Sequence, residues 1–261
     1  MRLLQRITAL LCALALWCTG ACAAEGIEDT QHTPFVYGQS EMGRDLVCHR
    51  LGSTDAAASI LIVFGVHGFE DAYDHDGEVL RLIAERMISH YAQNPAQMQG
   101  FCLYIIPSAN PDGLINGNSK DGYGRCNANG LDVNRDFPFD WEENTTSRNL
   151  TGEAPLSTAE ARAICDLVAD IQPTFGIDVH GWKKAAYGNS KMAEVFAKPF
   201  RFKVQRLSTK GMLAAWLNSV TNEGILMELP PDPNSGDYVT SSSAALIEGL
   251  NAWMQFCASR R

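Results

Sequence analysis

The sequence predicts an α/β fold, a mixed and mostly parallel central sheet with helices on both faces. Three observations predict it. Ser59 to Val66 is a continuous apolar run, the mark of a strand buried on both sides. Val79, Leu80, Leu82, Ile83, Met87, Ile88 and Tyr91 follow at helical spacing. Strand-like and helix-like segments then alternate along the chain, which calls for a sheet covered on both faces. The 261 residues are 46% hydrophobic and 20% charged, which excludes a disordered or low-complexity chain. Net charge is −9, so no nucleic-acid partner held through phosphates is expected.

The segments read as follows. Arg2 and Arg6 precede an apolar stretch from Ile7 to Trp17, and Ala21-Cys22-Ala23 fits a small-x-small cleavage site. Residues 1–23 are therefore expected to be a secretory signal peptide, too short to span a bilayer. Residues 24–261 are then one catalytic domain, secreted, periplasmic or in the cell envelope. Gly20-Ala21-Cys22 also ends like a lipobox, which makes lipid attachment at Cys22 the alternative. No transmembrane segment is expected.

Leu46 to Leu51 reads as an early strand, and Phe101 to Ile106 as another apolar strand. A polar loop rich in Gly and Asn runs from about Ser108 to Arg135. Ser157 and Glu160 have capping-box spacing for a helix reaching about Asp170. Phe175–Val179 is a strand, Met212–Val220 a helix and Gly224–Met227 a strand. Leu246, Leu250, Trp253 and Cys257 give the last helix its buried stripe. Export leaves Cys48, Cys102, Cys126, Cys165 and Cys257, an odd number in an oxidising compartment. At most two disulfides can form, with buried packing the alternative. None has zinc-knuckle spacing.

Polar clusters follow the strands. His67-Gly68-Phe69-Glu70 follows Val66, Asn110-Pro111-Asp112-Gly113 follows the 101–106 strand, His180 follows Val179 and Glu228 follows Met227. Ligands of open α/β sheets bind beyond the carboxyl ends of strands. One such histidine alone would be a hydrogen-bonded structural group; four clusters together point to one cleft. His67 and Glu70, three apart in a turn, can reach one ion, and His180 adds a third ligand. Two imidazoles and a carboxylate match a catalytic zinc site with an open position. No His-Glu-x-x-His helix is present. The run Asp71, Asp74, His75 and Asp76 reads as a solvated acidic lead-in to a helix, with cation binding the alternative.

These motifs, with Leu131-Asp132-Val133-Asn134-Arg135 and Asp178-Val179-His180, resemble those of the zinc carboxypeptidase family typified by carboxypeptidase A. Gly38-Gln-Ser-Glu-Met-Gly-Arg44-Asp-Leu46 is similar to its opening segment. The likeness runs from about Val36 to Leu229. It is nearest to bacterial members acting on cell-wall peptides, the murein-tripeptide amidases and γ-D-glutamyl-diaminopimelate peptidases. The resemblance implies one Zn²⁺ per chain on His67, Glu70 and His180. It implies that Arg125 steadies the carbonyl oxygen and that Glu228 is the general base. Asn134 and Arg135 would grip the free C-terminal carboxylate of a peptide substrate, and Asp132 would orient a zinc-bound imidazole. The fork of an arginine suits that carboxylate on physical grounds as well.

Two departures stand out. Phe69 occupies a position where animal digestive members carry arginine, and Gln205 to Lys210 holds no tyrosine where those members carry a mobile one. Tyr187 is a remote substitute. Leu213-Ala214-Ala215 falls where the family sets side-chain preference, and Lys210 could meet a carboxylate of diaminopimelate. The function expected is a secreted zinc carboxypeptidase cutting a C-terminal amide bond of a cell-wall peptide. An aspartoacylase-like amidohydrolase of N-acyl amino acids and a non-catalytic wall-binding protein are the alternatives.

Overall fold

The computed structural model describes residues 32–70, 72, 76–116, 124–231 and 236–260. The expected signal peptide at 1–23 and the cation candidates Asp71, Asp74 and His75 lie outside the described residues.

Eight strands form one sheet: β1 (Thr33–Gln39), β2 (Asp45–Leu51), β3 (Ala58–Phe64), β4 (Phe101–Ile106), β5 (Phe175–Gly181), β6 (Ala185–Tyr187), β7 (Lys203–Gln205) and β8 (Glu223–Leu229). Their order is β1-β2-β4-β3-β5-β8-β6-β7. The central pairs β4–β3, β3–β5 and β5–β8 are parallel. The antiparallel pairs β1–β2, β2–β4 and β8–β6 flank them, and β7 joins β6 in parallel. The sheet is mixed and mostly parallel, as its apolar central strands predict.

The six helices described are α1 (Asp76–Gln93), α2 (Pro111–Asn116), α3 (Ala159–Ile171), α4 (Lys191–Phe200), α5 (Leu213–Val220) and α6 (Tyr238–Ala258). Strand β3 shows why both faces need cover. Its Ile60, Ile62 and Phe64 pack with α1, α4 and α6, while Leu61 and Val63 pack with α3 and α5. Period-two alternation thus feeds two separate cores, one per face. Phe64 is fully buried in the first. Phe64→Ala is expected to cost about 3–5 kcal/mol, read as a lower denaturant midpoint at unchanged slope.

Several boundaries differ from the sequence expectation. Strand β3 stops at Phe64, and Gly65 turns the chain with φ +63°, so Val66 lies beyond it. The cap of α3 is Thr158, whose hydroxyl accepts from Ala161 N, not Ser157. Asp136 decides between the adjacent hydroxyls: its carboxylate accepts from Ser157 N, Thr158 N and Thr158 Oγ1 at 3.0, 2.7 and 2.7 Å. Glu160 accepts from Glu41 N and Asn127 Nδ2. The expected 108–135 loop contains α2 and a 3₁₀ turn at Val133–Arg135. Strands β1, β6 and β7 and helix α4 were not expected. No disulfide joins any of the five cysteines among the described residues, and burial raises the thiol pKa of Cys48, Cys102 and Cys165. No helix among the described residues is long and apolar enough to cross a membrane.

Candidate active site

The carboxyl ends of β3, β5 and β8 bring the polar clusters together. His67 and Glu70 lie on the turn after β3, while His180 and Glu228 are direct neighbours in the β5–β8 register. Gly68 makes the turn possible, because a Cβ there would sit 2.2 Å from the backbone carbon of Gly113 and 2.4 Å from Gly124 O. Asn110 locks the facing loop: its Oδ1 accepts from Gly113 N, and its Nδ2 donates to Cys126 O at 3.0 Å and Arg125 O at 3.3 Å. Asp112 is buried and accepts from Ser40, Met42 N and Arg44. The opening segment is thereby tied to the loop that carries Arg125.

Asp76 differs from the solvated lead-in expected of it. It is 1% exposed and accepts from Glu70 N at 2.8 Å, Ala72 N at 3.0 Å and Trp182 Nε1 at 2.9 Å. It holds the turn that presents Glu70.

Glu70 lies between the two imidazoles. Its Oε1 is 2.6 Å from His180 Nδ1, and its Oε2 is 3.3 Å from His67 Nδ1. One ligand atom from each of His67, Glu70 and His180 falls within 4.8 Å of the others. Each histidine turns its other nitrogen to a buried carboxylate: His67 Nε2 is 2.9 Å from Asp132 Oδ1, and His180 Nε2 is 2.9 Å from Asp178 Oδ1. The Asp132 hydrogen bond fixes the His67 tautomer and leaves its Nδ1 to the ion. Asp178 meets His180 as a charge contact, with no hydrogen bond to either of its oxygens among the described residues. The donor set and its backing fit a zinc ion. Burial opposes charge on Glu70, yet the adjacent His180 and His67 hold its pKa well below the usual range. Burial likewise opposes charge on Asp132, but His67 and Arg125 lower its pKa. Burial lowers the His180 pKa and the carboxylates of Asp178 and Glu70 raise it; the carboxylates win.

A cavity of about 400 Å³ opens over this centre. Arg125, Asn134, Arg135 and Glu228 line it with the three candidate ligands. Arg125 places Nη1 3.2 Å from His67 Nδ1 and donates through Nη2 to Asp132 Oδ2 at 3.3 Å and through Nε to Arg148 O at 3.1 Å. Asn134 accepts from Leu213 N at Oδ1 and sets Nδ2 3.3 Å from His180 Nε2. Arg135 donates to Asn134 O at 2.7 Å. Glu228 is 5% exposed; its Oε1 is 3.2 Å from Lys183 Nζ, and its buried Oε2 has no hydrogen-bond partner among the described residues. Burial raises the Glu228 pKa; the nearby Glu70 charge adds to that rise, while His180 and Lys183 oppose it.

Some expectations fail here. Lys210 is away from the cavity and pairs with Glu142 at 2.5 Å. Leu213, Ala214 and Ala215 are buried behind the wall, and Met212 is the residue of that segment that lines it. No tyrosine lines the cavity among the described residues, so Tyr187 does not stand in. Sequence reasoning missed Lys183, Arg148 and the role of Asp178. The last was legible, since residues 178 and 180 share one face of a strand.

The fold and site define a metal-dependent hydrolase, and the chain belongs to the zinc carboxypeptidase family, whose profile matches residues 28–233. The family's cofactor is zinc, and its members are metallocarboxypeptidases and related amidases. Murein peptide amidase A of Escherichia coli is 26% identical over 236 residues, covering 83% of this chain and 88% of the amidase. Bacteriocin BCN5 of Clostridium perfringens is 37% identical over 221 residues, 81% of this chain, but the match spans only 24% of the bacteriocin. Among solved structures, the murein-tripeptide amidase MpaA of Escherichia coli O157 superposes with a TM-score of 0.64 at 24% identity, over 84% of this chain and 91% of that one. Carboxypeptidase A of Helicoverpa armigera gives 0.72 at 18% identity, over 89% and 70%. These two likenesses establish the fold.

Proposed function

We propose that the chain is a carboxypeptidase that hydrolyses the C-terminal amide bond of a murein peptide in the cell envelope, exported by way of residues 1–23, with residues 24–261 as its catalytic domain. The observation that carries the reading is the convergence of His67, Glu70, His180, Glu228 and Arg135 on one cavity. The murein substrate class is supported by the amidase relative, which this chain matches along most of its length.

His67, Glu70 and His180 would hold the zinc, which supplies Lewis acidity and a more acidic bound water. Every other part belongs to the chain. Arg135 offers two parallel donors to the terminal carboxylate, and Asn134 adds its Nδ2, its Oδ1 being taken by Leu213. Arg125 reaches the scissile carbonyl oxygen and stabilises the charge that develops there. Glu228 accepts a proton from the attacking water and returns it to the departing amine.

Arg135→Ala is expected mainly to raise KM, with about 2–4 kcal/mol lost from transition-state binding, measured as kcat/KM on a free-acid peptide. Asp178→Asn is expected to weaken zinc about 10–100-fold, measured by competition with a chromogenic chelator. The reading itself is tested by stripping the protein with a chelator and reloading it with zinc. Release of a C-terminal residue from a murein stem peptide should vanish and return. Release that ignores the chelator would contradict it.

A further inference from the structure

Four cations, Arg125, Arg135, Arg148 and Lys183, line the cleft of a chain whose net charge is −9. The function proposed above gives work to two of them. Arg125 also lies against Asp132 and Glu70, at 3.3 and 3.7 Å. Arg135 takes the terminal carboxylate. Lys183 has no place in that scheme, and it is not a buried structural group. Its side chain is 70% exposed, and its ionic partner among the described residues is Glu228 Oε1 at 3.2 Å.

The backbone on both sides of Lys183 is held. Gly181 pairs with Leu229 in the sheet register, Trp182 Nε1 donates to Asp76 Oδ2, and Lys184 N donates to Leu229 O at 3.2 Å. A flexible side chain thus starts from a fixed point at the rim of the reaction centre. An ammonium carries three donors and no acceptor, so one contact to Glu228 leaves two donors for a ligand. The turn between His67 and Glu70 supplies no competing charge, because its two residues are Gly68 and Phe69.

We propose that Lys183 is a specificity-determining residue that selects substrates with a second carboxylate beside the scissile bond, distinct from the terminal one at Arg135. This deepens the carboxypeptidase reading and rests on it. In the free protein the ammonium offsets the charge of the buried Glu228. In the complex it is shared between Glu228 and the substrate's carboxylate, drawing that carboxylate toward the base. An acidic residue joined through its side-chain carboxyl has this chemistry, since the linkage leaves its α-carboxylate free next to the cleaved amide.

The probes are alanyl-γ-D-glutamyl-diaminopimelate and the same peptide with the glutamyl α-carboxylate amidated. The zinc-loaded protein should show a KM roughly two- to fivefold lower for the acid, the worth of a partly exposed charge pair. Lys183→Gln should abolish that preference, Lys183→Glu should reverse it, and Lys183→Arg should keep it. A KM preference for the acid that survives unchanged in Lys183→Gln, or no preference in the unaltered protein, would overturn the proposal. Calorimetric binding of the uncleavable methyleneamino analogues of both peptides reads the same preference without turnover. If neither peptide were cut but the acid analogue bound more tightly through Lys183, the carboxypeptidase reading would fall and the carboxylate subsite would stand.

Discussion

Glu228→Gln is expected to lower kcat by about 10²–10⁴-fold while zinc content and substrate affinity persist. The glutamine keeps the shape of the side chain and removes the proton acceptor. The place of Glu228 motivates the size of the effect. It sits on β8 directly beside His180 in the register, and its buried Oε2 has no hydrogen-bond partner among the described residues. A buried acceptor without a donor is costly to keep, and this oxygen lies on the cavity wall where an attacking water would donate to it. The proposed base works only when ionised, so activity should be lost as pH falls through its titration. Burial raises its pKa in the metal-free protein, and a bound zinc ion pulls it back down, so the acid limb of kcat/KM is read by comparison. Lys183→Gln removes a charge that lowers the pKa and should move the limb to higher pH. A Glu228→Gln protein with zinc bound and near-normal kcat would point to another base.

His180→Ala is expected to empty the metal site and abolish turnover. Three ligand atoms define the centre, and removing one leaves an imidazole and a carboxylate. The loss reaches further, because His180 is also the contact of Asp178 and stands between Asn134 and Glu70. Without it Asp178 stays buried and uncompensated, which adds a cost to folding. Metal analysis after dialysis, beside circular dichroism of the same sample, separates the two effects. Full zinc occupancy in a folded His180→Ala protein would remove the ligand assignment.

The parts legible in the sequence share a physical cause. Strands β3, β4, β5 and β8 are buried on both faces; β3 and β4 therefore read as nearly unbroken apolar runs, while β5 and β8 carry Asp178, His180 and Glu228 among their apolar residues. Their carboxyl ends must hold the ligands of an open sheet, which made His67, Glu70, His180 and Glu228 readable together. The short strands β6 and β7, three residues each, carry too little pattern to stand out. Strand β1 is broken up by Pro34 and Gly38. Helix α4 holds Met192, Val195 and Phe196 at helical spacing but ends through Pro199, which obscured it. Thr158 won the cap from Ser157 through Asp136, a partner 22 residues away. Lys183 was invisible for a related reason, since its meaning depends on Glu228, a neighbour across the sheet. Asp76 read as solvated because its three donors come from the turn before it and from Trp182.

The central claim is that this cleft removes one residue from the carboxyl end of a peptide. Mass spectrometry of products from murein stem peptides with free and with amidated C-termini tests it most directly. Loss of a single C-terminal residue with uptake of one water, from the free acid alone, is the result predicted. Cleavage at an internal bond, or equal cleavage of the amidated peptide, would contradict it.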